Sequence, residues 1–268
     1  MSVKRTRGKE DMKRRILSPL RVRNLEFGGE QPLFCIPIVP HNMRELAAQA
    51  EIAHKLKPEL IEWRADFFST PTTTSLVEAA CLIRETAPTE PIIFTLRAKN
   101  EGGAQEIPQS ERRVLIEAVL RSSTIDLVDL ELANDEEFLH SMMQVAKQYA
   151  IPVILAFHDF ERTGDDDFLL SKIESMRSHA ASIGKIAVMP QSHEDVLRLL
   201  HVTARARTLY PTLPLITMAM GALGSITRTA GFLFGSDMSF ALGQSGSAPG
   251  QIPMEDARKL TEMLLRYS

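Results

Sequence analysis

The sequence predicts an α/β fold, a (β/α)₈ TIM barrel, and three features of the chain support this prediction. Short apolar, β-branched runs alternate with longer amphipathic stretches from about residue 33 to the end. Eight runs of each kind are present, at about 30 residues per unit. The strand-like runs, such as 151–157, are continuously apolar, which is typical of parallel strands buried on both faces. Eight such units favour a closed barrel.

The elements follow in order along the chain. The predicted strands are Leu33–Val39, Leu60–Arg64, Ile92–Arg97, Leu127–Leu130, Val153–His158, Ile186–Met189, Leu215–Ala219 and Met238–Leu242. The predicted helices are Met43–Lys57, Thr73–Glu85, Ser110–Arg121, Glu136–Ala150, Asp166–Ala180, His193–Tyr210, Ser225–Phe234 and Pro253–Arg266. Ahead of the barrel, Leu20–Phe27 and Gln31–Phe34 are predicted to pair as a hairpin that turns at the glycines 28–29 and closes the barrel bottom.

An open, doubly wound sheet is the competing architecture. That fold places a Gly-x-Gly-x-x-Gly loop after its first strand, whereas Pro37 and Pro40 stand at this point of the sequence. The proline-containing turn therefore favours the barrel.

Charge is distributed unevenly. Residues 1–15 hold seven basic and two acidic side chains, although the whole chain of 268 residues has a net charge of −3. We therefore expect a basic, flexible extension over 1–19 and a single, mildly acidic catalytic domain over 20–268. An acidic body argues against nucleic-acid binding. No apolar run reaches the length of a membrane helix or of a signal-peptide core, so we expect a cytoplasmic protein with no membrane contact.

Polar residues are concentrated where four of the predicted strands end. In a barrel these strand ends lie on one face and form the active site. Each cluster alone could be a structural ion pair, but four of them favour a shared site. The residues concerned are Glu62, Arg64, Arg97, Glu101, Asp129, Glu131 and His158.

Lys185 opens an apolar run, an unfavourable position for an unpaired charge. One interpretation is a lysine that reaches solvent at the end of its strand. The other uses strand alternation: Ala187 on the same face leaves room for the lysine stem to rise inside the barrel. A desolvated lysine is a nucleophile that forms Schiff bases with ketones, and His158 on the neighbouring strand would transfer protons.

The segments after the last two strands predict an anion site under a movable loop. Residues 221–225 lead into a helix that contains Arg228, so backbone N–H groups and a guanidinium can meet an acidic substrate. Residues 243–251, rich in Gly and Ser, are predicted to form a lid. The other six histidines show no ligand spacing, and Cys35 and Cys81 are predicted to be structural thiols, so no metal is expected.

Six motifs of the chain resemble type I 3-dehydroquinate dehydratase (3-dehydroquinase). They occur in the family's order and spacing and extend the resemblance over about residues 33–268. The motifs are EWRADFF (62–68), FTLRAKNEGG (94–103), FHDF (157–160), KIAVMP (185–190), MGALGSITR (220–228) and SAPGQI (247–252). The resemblance implies a homodimeric barrel that dehydrates 3-dehydroquinate to 3-dehydroshikimate in the shikimate pathway, without metal or organic cofactor. Biosynthetic and quinate-degrading roles are both compatible with it.

The resemblance also implies a role for each site residue. It assigns the Schiff-base nucleophile to Lys185, the general acid and base to His158, and the acid beside it to Glu101. It assigns the ring hydroxyls of the substrate to Glu62, Arg64 and Arg97. The carboxylate end of the substrate would lie against Arg228, Ser247 and Gln251.

Two other functional classes remain as alternatives. A class I Schiff-base aldolase acting on a phosphosugar would use the glycines after the last two strands to bind phosphate. Arg228 with Gln251 suits a planar carboxylate better than a phosphate. A barrel that serves only as a binding module would be expected to have lost Lys185 or His158, and both are present.

Overall fold

The computed structural model describes residues 16–244 and 246–267, and the predicted extension therefore lies largely outside the described residues. Eight parallel strands, β3 to β10, form a nearly closed barrel in the sheet order β10-β3-β4-β5-β6-β7-β8-β9, with helices between them. This confirms the predicted TIM barrel. A separate two-stranded sheet, β1 and β2, precedes it.

The ten strands are short, at three to seven residues each. They are β1 Leu20–Val22, β2 Leu25–Phe27, β3 Leu33–Ile38, β4 Leu60–Arg64, β5 Ile92–Thr95, β6 Leu127–Glu131, β7 Val153–Asp159, β8 Ile183–Val188, β9 Leu215–Ala219 and β10 Met238–Phe240. The eight α-helices are α1 Met43–Lys55, α2 Thr73–Thr86, α3 Gln109–Ser122, α4 Glu136–Gln148, α5 Asp166–Ser178, α6 His193–Leu209, α7 Ser225–Ala230 and α8 Met254–Arg266.

On several strands the side chains that face the barrel interior change from apolar to polar toward the C-terminal end. On β4 the inward sequence is Leu60, Glu62, Arg64, and on β8 it begins with Ile183 and Lys185, because alternate residues of a strand share one face. The lower, apolar members pack together as an interior core, distinct from the larger core between the sheet and the helices. The upper, polar members lie toward the C-terminal face of the barrel, where active sites of this fold are found.

The N-terminal hairpin exists, but its predicted strand pair and turn are wrong: both strands lie within residues 20–27, and the predicted second strand, Gln31–Phe34, leads into β3. β1 and β2 pair antiparallel with Val22 opposite Leu25, so the turn lies at residues 23–24 and not at the glycines 28–29. Arg23 adopts φ 53°, and its guanidinium donates to Asp126 and to a main-chain carbonyl, which hold this turn. Gly28 instead makes room for Ile16, because a Cβ at Gly28 would lie 2.3 Å from the Ile16 side chain.

The hairpin closes the bottom of the barrel as expected. Val22 and Phe27 are buried and belong to the interior core. Ile16 is also buried and donates its main-chain N–H to Gly28, so the chain is attached to the barrel from residue 16 onward.

Two further predicted boundaries are wrong for a physical reason. β8 begins at Ile183 and not at Ile186, so Lys185 lies within the strand. Gly184 lies in the strand, where Met176 of α5 and Leu215 of β9 approach it closely. The predicted helix 225–234 changes at Gly231 from α7 to a 3₁₀ turn. Within the described ranges no helix has the length and hydropathy needed to span a bilayer.

Candidate active site

A cavity opens at the C-terminal face of the barrel, and all nine predicted site residues line it. The nine are Glu62, Arg64, Arg97, Glu101, His158, Lys185, Arg228, Ser247 and Gln251. Residues from distant parts of the chain come together because β4, β5, β7 and β8 are parallel and their C-terminal halves surround the cavity.

Lys185 rises inside the barrel and is only 4% exposed. This excludes the interpretation of a lysine that reaches solvent at a strand end. Its Nζ donates to Asp129 Oδ2 at 2.7 Å, lies 3.8 Å from Glu62 Oε1, and sits 4.6 Å from the centre of the Phe240 ring. The ammonium is therefore paired, and not simply desolvated as the sequence suggested. Ala187 lines the cavity next to it and leaves the expected space.

Arg97 links the acidic residues beneath the cavity. Its two terminal nitrogens donate to Asp129 at 2.7 Å and to Glu131 at 2.8 Å. Burial alone would lower the pKa of Arg97, but the two carboxylates outweigh it and raise that pKa. In the same way Arg97, with Lys185 beside Asp129 and Arg112 beside Glu131, holds the pKa of each carboxyl below its usual range despite burial. Both carboxylates remain ionised, and Asp129 keeps Lys185 in place.

His158 and Glu101 form a second pair. Glu101 Oε2 lies 2.9 Å from the imidazole Nδ1 and also accepts the main-chain N–H of His158 at 3.0 Å. Burial raises the pKa of Glu101 to about 7. Burial, reinforced by the charges of Arg97, Lys185 and Arg64, holds the pKa of His158 well below its ordinary value. Because Nδ1 is engaged, Nε2 is the nitrogen available for proton transfer.

Arg64 and Glu62 occupy the rim beside this pair. Arg64 is held by a two-point ion pair with Asp66, at 2.8 Å for each bond, and donates to the carbonyl of Gly102. Glu62 accepts from the Thr95 hydroxyl at 3.0 Å. Both side chains are thus fixed in advance, which suits the recognition of hydroxyl groups at defined positions.

Arg228 provides the cationic end of the cavity. The side chain is buried, and its Nη2 donates to the carbonyl of Pro249 at 2.9 Å, whereas its buried Nε has no hydrogen-bond partner. Burial lowers the pKa of Arg228 to about 10. Gln251 accepts from the main chain of Ser247 at 3.0 Å and places both residues on the cavity wall. A buried guanidinium with an unpartnered Nε and no carboxylate partner among the described residues is prepared to receive an anion.

Several residues of the site were not predicted. Asp129 is among the polar strand ends of the sequence but received no role there, although it contacts the nucleophile. Strand alternation from Leu127 places Asp129 inward and could have indicated it. Other lining residues, from strand ends and loops, have no polar signal in the sequence. They are Phe160, Phe240 and Ala248.

Comparison with known proteins agrees with this geometry. The family model for type I 3-dehydroquinase matches residues 34–267. A 3-dehydroquinate dehydratase of Geobacillus sp. (strain WCH70) is 42% identical over 248 residues, which cover 92% of this chain and 95% of that protein.

Solved structures agree as well. The 3-dehydroquinate dehydratase of Geobacillus kaustophilus superposes with a TM-score of 0.90 at 42% identity, covering 94% of this chain and 98% of that one. The type I enzyme of Clostridium difficile, solved with covalently modified comenic acid, has a TM-score of 0.89 at 31% identity, with coverages of 93% and 98%. This chain belongs to the type I 3-dehydroquinase family.

Proposed function

We propose that this protein is a lyase that dehydrates 3-dehydroquinate to 3-dehydroshikimate through a Schiff base on Lys185. The observation that supports this most directly is the cavity itself. One buried lysine, one imidazole–carboxyl pair and one guanidinium whose Nε has no partner line the same cavity. These are the groups that a keto acid with a departing hydroxyl requires.

Chemistry begins at Lys185. Loss of its proton to water in the cavity frees the amine to attack the substrate ketone, while ionised Asp129, 2.7 Å away, holds the side chain in place. Loss of water from the resulting carbinolamine gives an iminium, which makes the neighbouring C–H acidic. Water later hydrolyses the product iminium and releases Lys185.

His158 moves the remaining protons. Nε2 takes the proton from the carbon next to the iminium and returns a proton to the hydroxyl that leaves. Glu101, against Nδ1, orients the ring. The same imidazole serves first as base and then as acid, so the cycle closes without a metal or an organic cofactor.

The rest of the cavity recognises the substrate. Glu62, Arg64 and Arg97 face the ring hydroxyls, while Arg228 pairs with the carboxylate between Ser247 and Gln251. A phosphosugar aldolase is not favoured, because this end of the cavity offers a guanidinium fork suited to a planar carboxylate.

Borohydride trapping tests the covalent step. Reduction in the presence of 3-dehydroquinate should add one substrate-derived mass to a peptide containing Lys185 and abolish enone formation, measured by absorbance. Lys185→Ala should give no adduct, and Lys172→Ala is the matched control because Lys172 packs on Phe157 and Phe168 outside the cavity. An adduct on another lysine, or turnover by Lys185→Ala, would refute the mechanism.

The family resemblance also suggests a cytoplasmic homodimer that acts in the shikimate pathway and so in aromatic amino acid biosynthesis. In support of the dimer, helix α8 exposes an apolar stripe of Leu260, Met263, Leu264 and Tyr267 at helical spacing. Sedimentation velocity should give a dimer for the unsubstituted chain and a monomer for Met263→Glu. A monomer in both cases would refute the dimer.

A further inference from the structure

Phe160 lies at the edge of the cavity with no role in the reaction described above. It follows β7 two residues after His158, and its side chain is 38% exposed. Its ring is nearly parallel to the His158 imidazole, at 18°, with the ring centres 6.4 Å apart. This offset arrangement is among the favourable geometries of aromatic pairs.

The same ring rests directly on the main chain of Gly102. A Cβ at Gly102, whose φ is +85°, would lie 2.4 Å from Phe160 Cζ. The residue before Gly102 is Glu101. Phe160 therefore lies against both segments that hold the Glu101–His158 pair. It meets the segment after β7 through the imidazole and the segment after β5 through Gly102.

Both loops are held independently of Phe160. The Gly102 carbonyl accepts from Arg64, and the main-chain N–H of Ala104 donates to Asp66 at 2.9 Å. On the other loop, the Asp159 carboxylate accepts the main-chain N–H groups of residues 161 and 162. The backbone on both sides of the ring is thus fixed.

Water exclusion is the consequence. Glu101 is 5% exposed and the His158 side chain 9%, while Phe160, which lies against the imidazole and Gly102, is 38% exposed. The charged groups around the pair come from the barrel and not from the Phe160 loop. They are Arg64 on β4, Arg97 after β5, Asp129 and Glu131 on β6, and Lys185 on β8.

We propose that Phe160 is a positioning residue that keeps the Glu101–His158 pair dry and holds the imidazole plane against the substrate. This rests on the proposed function only in that His158 is the proton carrier. Burial is the leading cause of the altered proton affinities of both groups, which agrees with a shielding role for the ring. In the shielded pair the proton resides on Glu101 in preference to His158.

Removing the ring should reverse this preference. In Phe160→Ala, water reaches the pair, so the imidazole binds a proton more readily and the carboxyl less readily. We expect nitrogen-15 NMR to show His158 neutral at about pH 6 in the unsubstituted chain and protonated in Phe160→Ala. Phe160→Leu should lie between the two. The His158 resonances are assigned from their absence in His158→Asn.

Kinetics supply the second readout. Phe160→Ala should lower kcat about 10- to 100-fold, since the proton carrier is misplaced or charged. Borohydride trapping on Lys185 should persist, because the lysine is untouched. Phe234→Ala is the matched control: Phe234 is also 38% exposed but lies outside the cavity, and it should change neither quantity.

The NMR result decides the proposal by itself. If the His158 resonances of Phe160→Ala follow those of the unsubstituted chain at every pH, Phe160 is not a shield. Failure of the proposed function looks different: no 3-dehydroquinate turnover and no adduct in any variant, with the His158 titration still dependent on Phe160.

Discussion

At the scale of single residues, Arg228 is the sharpest test of substrate recognition. Among the described residues no carboxylate pairs with it, and its Nε has no partner, so the free protein bears the cost of a buried charge. Arg228→Ala should weaken substrate binding by about 2–4 kcal/mol, measured as a rise in KM. Arg228→Lys should restore only part of the lost substrate affinity, because an ammonium lacks the planar fork of a guanidinium.

Stability is the control for Arg228. Removing a charge that lacks a carboxylate partner should leave the free energy of unfolding unchanged or raised. An unchanged KM in Arg228→Ala, or full recovery by lysine, would remove Arg228 from the carboxylate site.

The ionisation of Glu101 should determine how kcat/KM decreases at low pH. Its pKa is raised to about 7, so it is ionised above that pH and protonated below it. The ionised carboxylate accepts from Nδ1–H and leaves Nε2 free as a base, whereas the protonated carboxyl donates to Nδ1 and leaves the proton on Nε2. We therefore expect kcat/KM to fall about tenfold per pH unit below about 7.

Glu101→Gln tests this assignment because glutamine cannot ionise. Its residual kcat/KM should lose the inflection near pH 7. An inflection that persists at the same pH in Glu101→Gln would assign the decrease to another group.

The strand pattern predicts which residues face the cavity better than it predicts their partners. Alternation with Ala187 places Lys185 inward from sequence alone, and alternation from Leu127 places Asp129 inward in the same way. Their 2.7 Å contact joins residues 56 apart, on strands separated by β7. Such a contact depends on the stagger of the closed barrel, which no local pattern records. For this reason the sequence suggested a lone desolvated lysine where the structure has an ion pair.

At the scale of elements, Asp237 joins the two ends of the sheet. The main-chain N–H of Asp237 donates to the Leu215 carbonyl at 2.7 Å, and its carboxylate accepts from Leu215 N–H at 2.8 Å and from Arg207 at 2.6 Å. Asp237→Ala leaves a buried N–H and a largely buried guanidinium without this acceptor. We expect the free energy of unfolding to fall by about 3–5 kcal/mol, measured by urea denaturation.

Asp237 lies at the N-terminal end of its strand, away from the cavity. Asp237→Ala should therefore keep its KM at a temperature where it remains folded. Asp256→Ala, on the exposed first turn of α8, is the control and should change stability by less than about 0.5 kcal/mol. Equal stabilities of the two variants would show that the junction between β9 and β10 does not depend on the Asp237 carboxylate.

The predicted bounds of a strand are correct where turn residues border it in the sequence. They are wrong where contacts with distant parts of the chain determine where the strand begins. β4 and β9 have their predicted bounds, since apolar runs with no glycine are bordered by turns. β8 contains Gly184, which the neighbouring side chains require to be small, and local propensity counts against it. The hairpin turn at Arg23 likewise depends on Asp126, 103 residues away.

At the scale of the whole molecule, one inward-facing surface serves both stability and chemistry. Its lower half, with Leu60 and Ile183, forms the interior core, and its upper half, with Glu62 and Lys185, forms the site. Pairing between adjacent parallel strands keeps the lower and upper halves of neighbouring strands at the same height, as in the pairing of Ala156 with Lys185. The sequence could predict this division because the pleat fixes the alternation along every strand.

The bottom of the barrel tests the proposed division of the chain into an extension, 1–19, and a barrel domain, 20–268. Ile16 is 4% exposed and packs over Gly28, so its burial is worth about 1.5–3 kcal/mol. A protein that starts at Ile16 after the initiator Met should match the full chain in thermal unfolding and in kcat/KM. One that starts at Leu20 should unfold at a lower temperature, since it lacks this contact and the bond from Leu17 N–H to Pro211.

A third truncation that starts at Glu30 separates the extension from the hairpin. It removes Val22 and Phe27, which fill the lower end of the interior core, and should be far less stable than either longer protein. The cavity lies at the opposite end of the strands, so substrate binding should fail only when the barrel unfolds. Equal unfolding temperatures for the proteins that start at Ile16 and Leu20 would place the boundary at residue 20, whereas the expected loss moves it to residue 16.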